Sequence, residues 1–168
     1  MSRLRRLLVL PRARRALLLE CAWALLHAAW RVRRWPFSRL AATLGSPASA
    51  RAASLPVASA AQGTPANLAT AAEVRWAVSA WARVWPARPT CLMQAVAARQ
   101  MLVARGVPCE IYFGVRSQSA TLAASEHEIG AHAWLCCGGL TVTGAAEAAM
   151  FKPIAVYRFS PPGAAPQT

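Results

Sequence analysis

The first 44 residues combine helical periodicity with a strong excess of arginine. Ten arginines flank and separate the apolar runs of this segment. Four residues recur at the spacing of one helix face: Leu17, Cys21, Leu25 and Ala28. Residues 45–69 are rich in alanine, serine and proline and lack a clear period, which is typical of a linker. The pattern predicts a helical N-terminal region followed by a connecting segment.

Helical periodicity returns at residue 70. Thr70 and Glu73 have the spacing of a capping box, and Pro86 ends the pattern. The apolar residues that share one face of this predicted helix are Val74, Val78, Trp81 and Trp85. The helix leads the chain directly to Cys91.

The next predicted helix covers residues 90–105. Thr90 is a suitable N-cap, so Cys91 is the first helical residue. Residues 105–108, Arg-Gly-Val-Pro, form a stop signal in which Gly106 suits the left-handed position after the helix. The sequence therefore marks both ends of the helix that carries Cys91.

Three strands are predicted after this helix, over residues 110–115, 131–137 and 140–143. Gly138 and Gly139 form a two-residue hairpin turn between the last two, and residues 116–130 form a polar loop. Alternation places His132, Trp134 and Cys136 on one face of the middle strand, an arrangement in which His132 could face the Cys91 helix. The fold class expected is α+β, with the Cys91 helix packed on a small antiparallel sheet.

The length of 168 residues suits a single domain with one core and a helical extension. The expected organisation is a helical region over residues 1–44, a linker over 45–69, a core over 70–160 and a tail over 161–168.

The chain is strongly basic, with a net charge of +13, but arginine supplies 18 of the 19 basic residues and Lys152 is the single lysine. So complete a skew, in an alanine-rich chain, indicates genomic base composition. The sequence contains no aromatic-interleaved basic motif, zinc finger or helix-turn-helix pattern, so we do not expect nucleic-acid binding. An acidic partner or an anionic membrane surface remains a possible reason for the charge.

Five cysteines, an odd number without C-x-x-C spacing, argue against disulfides and against a structural zinc site, and favour free thiols in a reducing compartment. The N-terminus lacks the form of a signal peptide. The apolar run over residues 16–30 is too short to span a bilayer and contains Glu20 and His27, so we interpret it as a buried helix. We therefore expect a cytoplasmic protein without a transmembrane segment.

Cys91 and His132 together indicate thiol chemistry. The unpaired N–H groups and partial positive charge at a helix N-terminus favour the thiolate form of a cysteine placed there. A histidine then stabilises the thiolate as an imidazolium and protonates the leaving amine of a peptide. A metal site built from Cys109, Cys136 and Cys137 with His127 is not expected, because adjacent strand residues point to opposite faces.

The chain resembles the leader peptidases of lasso-peptide biosynthesis, a branch of the transglutaminase-like and papain-like cysteine enzymes, from the N-terminal helices to about residue 159. The matching segments are Trp-Pro-Phe-Ser-Arg-Leu at 35–40, Thr-Cys-Leu at 90–92, Arg-Gly-Val-Pro at 105–108, Phe-Gly-Val at 113–115, Ala-His-Ala-Trp-Leu at 131–135 and Gly-Gly at 138–139.

This resemblance implies a cytosolic cysteine peptidase that removes the leader from a ribosomally made precursor. Its implied partners are the precursor peptide, a small leader-recognition protein and an ATP-using cyclase, and it implies no cofactor. The residues alone leave two other functions open, an acyl transferase of transglutaminase type and a non-catalytic scaffold.

The chain departs from this family at the third catalytic position. Many relatives carry an aspartate on the strand after the histidine, whereas this chain contains no aspartate and has Thr-Val-Thr-Gly-Ala at 141–145. No Cys-His-Asp triad is possible. Glu147 or a backbone carbonyl remains to orient the imidazole of His132.

Overall fold

A computed structural model describes residues 10–48, 63–84, 88–116 and 130–162. The long helices precede the long strands along these ranges. In chain order they are α1 (Arg12–Arg34), α2 (Phe37–Ala42), β1 (Ser46–Ala48), α3 (Pro65–Val84), α4 (Cys91–Val103), β2 (Cys109–Arg116), β3 (Ala131–Cys137), β4 (Leu140–Thr143), α5 (Ala145–Ala148) and β5 (Phe151–Phe159).

The five strands form one antiparallel sheet in the order β1-β5-β2-β3-β4. The predicted hairpin between β3 and β4 is confirmed, because Gly138 and Gly139 both have positive φ, 51° and 86°, which a tight two-residue turn requires. The α+β fold, with α4 packed on a small antiparallel sheet behind an N-terminal helical region, is as expected from the sequence.

One face of the sheet, here called the inner face, packs against helices α3 and α4, and α1 packs on these two helices. Alternation along the strands places five apolar side chains of this face in the main core: Ile111, Ala133, Leu135, Cys137 and Val142. The helices meet them with alanine, valine and leucine side chains, and the small alanines allow α4 to approach the strands closely. The main core therefore lies between the inner face and the helices.

The opposite face, here called the outer face, carries a small separate cluster of Tyr112, Trp134, Cys136 and Val156. His132 lies on this face, because it alternates with Ala133 along β3. The body of β3 thus presents Ala133 and Leu135, not His132, to the helices. At its end, however, β3 brings His132 to a cleft that Cys91 of α4 also lines.

Helix α3 begins earlier than the sequence pattern indicated. Its first residue is Pro65, and the hydroxyl of Thr64 accepts a hydrogen bond from the backbone N–H of Asn67 at 3.2 Å. Thr70, the expected cap, instead donates its hydroxyl to the carbonyl of Ala66 within the helix. A proline at the first helical position after a threonine cap is a strong start signal that outweighs the later capping box.

Helix α1 has one covered face, where Leu17, Leu18, Cys21, Ala24, Leu25 and Ala28 are buried. The indole N–H of Trp81 on α3 donates to the carbonyl of Leu18 at 2.8 Å, which joins the two helices. His27 contacts Gln100 of α4 through Nδ1 at 3.0 Å, so it lies in a helix-packing surface. None of the helices in the described ranges is long and apolar enough to cross a membrane.

Candidate active site

Cys91 is the first residue of α4, as the sequence predicted. The hydroxyl of Thr90 accepts a hydrogen bond from the backbone N–H of Met93 at 3.3 Å, which caps the helix. The N–H groups of Cys91 and Leu92 precede any possible intrahelical acceptor, so they remain available to a ligand. The thiol of Cys91 therefore lies at the positive end of a helix beside free backbone donors.

The exposure of Cys91 distinguishes it from the other cysteines. Cys91 is half-buried, whereas the remaining four are buried. Burial raises the pKa of Cys21, of Cys109 and of Cys136 to about 12, and it also raises that of Cys137. These four thiols stay protonated at neutral pH, so Cys91 is the cysteine that a substrate or reagent can reach.

His132 lies at the start of β3, with its ring held between aromatic side chains. Its ring centroid is 4.9 Å from that of Phe151 and 5.8 Å from that of Trp134, both in stacked orientation. Only 4% of the side chain is exposed. The imidazole is therefore held in one plane, and its edges must find hydrogen-bond partners within the protein.

Both ring nitrogens of His132 lie near oxygen acceptors. Nε2 is 3.2 Å from the carbonyl oxygen of Gly144, and Nδ1 is 3.3 Å from a carboxylate oxygen of Glu147. A carbonyl and a carboxylate oxygen can only accept hydrogen bonds, so each orients the imidazole through the ring nitrogen that it faces. The positions that the sequence left open for orienting His132, a backbone carbonyl and Glu147, both contact the ring.

Gly144 can approach the imidazole only because it lacks a side chain. Its φ is 73°, and an added Cβ would lie 2.7 Å from Nε2 of His132 and 2.9 Å from Cβ of Trp134. Any side chain at this position, that of an aspartate included, would clash with the imidazole.

Cys91 and His132 line the same cleft, with a volume of about 370 Å³. Pro89 and Gln94 form the α4 side of the cleft, and residues 144–147 form the other side. Among the described residues, no hydrogen bond joins the sulfur of Cys91 to the imidazole, whose partners are Gly144 and Glu147. The structure therefore brings Cys91 and His132 to one cavity, in which the imidazole contacts Gly144 and Glu147 and not the sulfur.

Gln94 is a cleft residue that sequence reasoning missed. It lies one turn after Cys91, and its side-chain N–H donates to the carbonyl of Pro89 at 2.8 Å. This bond holds the segment that leads into the helix, and the second N–H of the same amide remains for a ligand. The sequence signal that could have identified it is its position three residues after a helix-initial cysteine, which places it one turn along the helix from Cys91.

Of the other residues considered for a site, Cys109, Cys136 and Cys137 do not line the cleft. His127, like Trp85 at the end of the predicted helix, lies outside the described residues. Cys109 and Cys137 are buried on the inner face, whereas Cys136 lies on the outer face. Within the described ranges, no group of three His, Cys, Asp or Glu side chains is arranged to hold a metal ion.

A family model described as "Transglutaminase-like superfamily" matches residues 22–156. The matched segment includes most of α1, the Cys91 helix, the strand of His132 and the Gly144–Glu147 side of the cleft. Searches of curated proteins and of solved structures gave no match.

Proposed function

The chain belongs to the transglutaminase-like superfamily, and we propose that it is a cysteine peptidase that removes the leader from a lasso-peptide precursor. The observation that carries the proposal is the cleft itself. It combines a helix-initial cysteine with a histidine whose two ring nitrogens face acceptors. The leader-peptidase specificity rests on the sequence resemblance.

The proposed reaction has two stages. The Cys91 thiolate attacks the scissile carbonyl, the N–H of Cys91 donates to the resulting oxyanion, and His132 gives its proton to the leaving amine. A water molecule then attacks the thioester as His132 removes its proton, which releases the acid and restores the Cys91 thiolate beside the protonated His132. Hydrolysis of one peptide bond consumes one water, and no metal ion or cofactor takes part.

During this cycle, one ring nitrogen of His132 must exchange its partner for the Cys91 sulfur. The Gly144 carbonyl is part of the backbone and stays in place. Glu147 has a side chain that is 59% exposed, so it can move into solvent at low cost. We infer that Nδ1 leaves Glu147 for the thiol, while Nε2 keeps its bond to Gly144.

In this proposal, the precursor is presented by a small leader-recognition protein, and an ATP-using cyclase acts on the cleaved product in the cytoplasm. Presentation by a partner raises the effective concentration of the scissile bond at the cleft.

The decisive experiment is a cleavage assay with a candidate precursor and its recognition protein, read by mass spectrometry. Wild type should release the leader, and Cys91→Ala and His132→Ala should lower the rate to background. His27→Ala is the matched control, because this histidine contacts Gln100 away from the cleft. Equal cleavage by all four folded proteins would overturn the proposal.

The same assay separates the two other functions. An acyl transferase would produce an amine adduct instead of the hydrolysed carboxylate, and product mass distinguishes the two. A scaffold, which the absence of aspartate favours, would keep its binding to precursor and partner but release no leader in any variant.

A further inference from the structure

Helix α1 carries two parallel apolar seams on opposite faces. Leu17, Cys21, Ala24 and Ala28 form the first and are buried against the protein. Leu19, Trp23, Leu26 and Trp30 form the second and are exposed by 71%, 68%, 53% and 52%. A helix that is apolar on both sides is expected to be covered on both sides.

The exposed seam has the spacing of a helix–helix contact. Its residues follow one another at intervals of four, three and four, the pattern of alternating a and d positions in a coiled coil. With a rise of about 1.5 Å per residue, the seam is roughly 16 Å long. Single exposed apolar residues are ordinary on protein surfaces, but a continuous stripe marks an interaction site.

The small residues beside the seam favour a protein helix over a lipid surface. Ala16, Ala22 and Ala29 lie along its sides, where they allow the backbone of a second helix to approach closely. An interfacial membrane helix instead carries basic residues along the flanks of its apolar face. In α1, the arginines are concentrated at the two ends.

These arginines determine the charge of the partner. Arg12 and Arg15 lie seven and four residues before Leu19, and Arg33 and Arg34 lie three and four residues after Trp30, so both pairs share the face of the seam.

The acidic residue of α1 does not neutralise these arginines. Glu20 is engaged by Arg105 of the segment after α4, through two bonds of 2.6 Å. The face is therefore apolar in the middle and positive at both ends.

We propose that the exposed seam of α1 binds an amphipathic helix of a partner protein, with leucine-like residues facing Leu19, Trp23, Leu26 and Trp30 and with acidic residues at both ends. This surface is independent of Cys91 chemistry, so its test requires no catalytic activity.

The test uses the full chain and a tryptophan-free synthetic helix of about three heptads, with leucine at a and d and glutamate beside them. Binding is followed by the anisotropy of the labelled peptide and by the blue shift of tryptophan emission, because Trp23 and Trp30 become buried. A scrambled peptide of the same composition controls for attraction to the net charge of +13.

The double variant Trp23→Ser/Leu26→Ser should weaken binding by at least about tenfold, since it removes two central anchors. Arg33→Glu/Arg34→Glu should also weaken it and reduce its salt dependence. Ile154→Ser on β5, a residue that is 55% exposed, is the matched control and should bind as wild type does. Circular dichroism and thermal melting establish that each variant is folded.

Four outcomes would overturn the proposal. These are equal binding of the seam variant and wild type, equal binding of the scrambled peptide, and the absence of peptide binding while anionic phosphatidylglycerol vesicles are bound. The fourth is a concentration-dependent dimer that the seam variant abolishes, because a second copy of the chain would then cover the face.

Discussion

The two faces of the sheet differ in what covers them and in what they carry. The inner face is covered by helices α3 and α4 and contributes to the main core. The outer face holds a four-residue cluster and a polar network, in which Glu110 accepts hydrogen bonds from the hydroxyl of Tyr112 and from the guanidinium of Arg158. The candidate histidine lies on the less covered face, beside the cleft.

The inner face contributes to the core, whereas the outer face carries the candidate histidine. A face packed between helices excludes water and leaves no space for a substrate, whereas the outer face is open at its end and still dry within the cluster. Burial, together with the hydrogen bond to Glu110, raises the pKa of Tyr112. The sheet therefore accommodates the cleft at one end without opening the main core.

The largest expected effect is the loss of stability in alkali. Burial raises the pKa of Cys21, Cys109 and Cys136 to about 12 in the folded state, against 9.0 in the unfolded chain. The unfolded state therefore loses its protons first, and stability falls as the pH rises from 9 toward 12. At pH 10, each thiol costs on the order of 1 kcal/mol, so the three together cost a few kcal/mol.

Denaturant unfolding at pH 7 and pH 10 measures this loss. Cys109→Ala on the inner face and Cys136→Ala on the outer face should each remove an equal share of the pH dependence. A smaller share for Cys136 would mean that the outer face is wetter than the inner face.

The second largest effect is the loss of stability when a methyl group is added at residue 144 of the cleft. Gly144→Ala should destabilise the protein by roughly 2–4 kcal/mol, because it combines a strained positive φ with a contact of 2.7 Å to the imidazole. Gly139→Ala is the matched control, since its φ is also positive, 86°, but its added Cβ meets nothing within 4 Å. The control should cost only about 1 kcal/mol.

The difference in unfolding free energy between these two variants measures the clash alone. Equal destabilisation by the two variants would show that residue 144 does not lie as close to the imidazole of His132 as the structure places it. The hydrogen bond between the Gly144 carbonyl and the ring would then be contradicted as well.

The packing of the two faces can be compared by truncating one buried valine on each face. Val142 on the inner face and Val156 on the outer face are exposed by 3% and 1%. Val142→Ala and Val156→Ala should each cost about 1–3 kcal/mol. We expect the inner variant to cost more, because helices on that side prevent the cavity from collapsing. A larger loss for Val156→Ala in urea unfolding would reverse this ranking.

The smallest effect is expected from Glu147→Gln. The carboxylate is exposed, so global stability should stay unchanged, while the alkylation rate of Cys91 at neutral pH should fall by roughly two- to fivefold. The fall follows because a neutral amide holds the imidazole of His132 less firmly than a carboxylate does, so the ring is oriented less well toward the cleft. Iodoacetamide is suitable because the other four cysteines are buried.

Glu147→Asp keeps the charge and should recover part of the rate, and Glu73→Gln, on α3 away from this cleft, controls for the removal of an exposed carboxylate. An unchanged rate in Glu147→Gln would assign the support of His132 to Gly144 alone.

Local sequence signals were sufficient for several parts of this molecule. Thr90 and Gly106 delimit α4, and the pair Gly138-Gly139 defines the β3–β4 turn, because caps and tight turns depend on the conformations of a few neighbouring residues. The position of Cys91 at the head of α4 follows from the same rules. The predicted start of α3 was wrong because two threonines that can cap a helix, Thr64 and Thr70, lie within a few residues of each other.

Tertiary structure decided which surfaces meet. Alternation along β3 separates His132 from Ala133, but only the packing of α4 shows which of the two faces the helices. The approach of the Gly144 carbonyl to the imidazole depends on a turn after β4, and no side-chain pattern encodes a backbone oxygen. The apolar run over residues 16–30 predicted a buried helix, whereas the fold covers only one of its two seams. Periodicity determines that a face is apolar, but the arrangement of the other elements in space determines whether that face is covered.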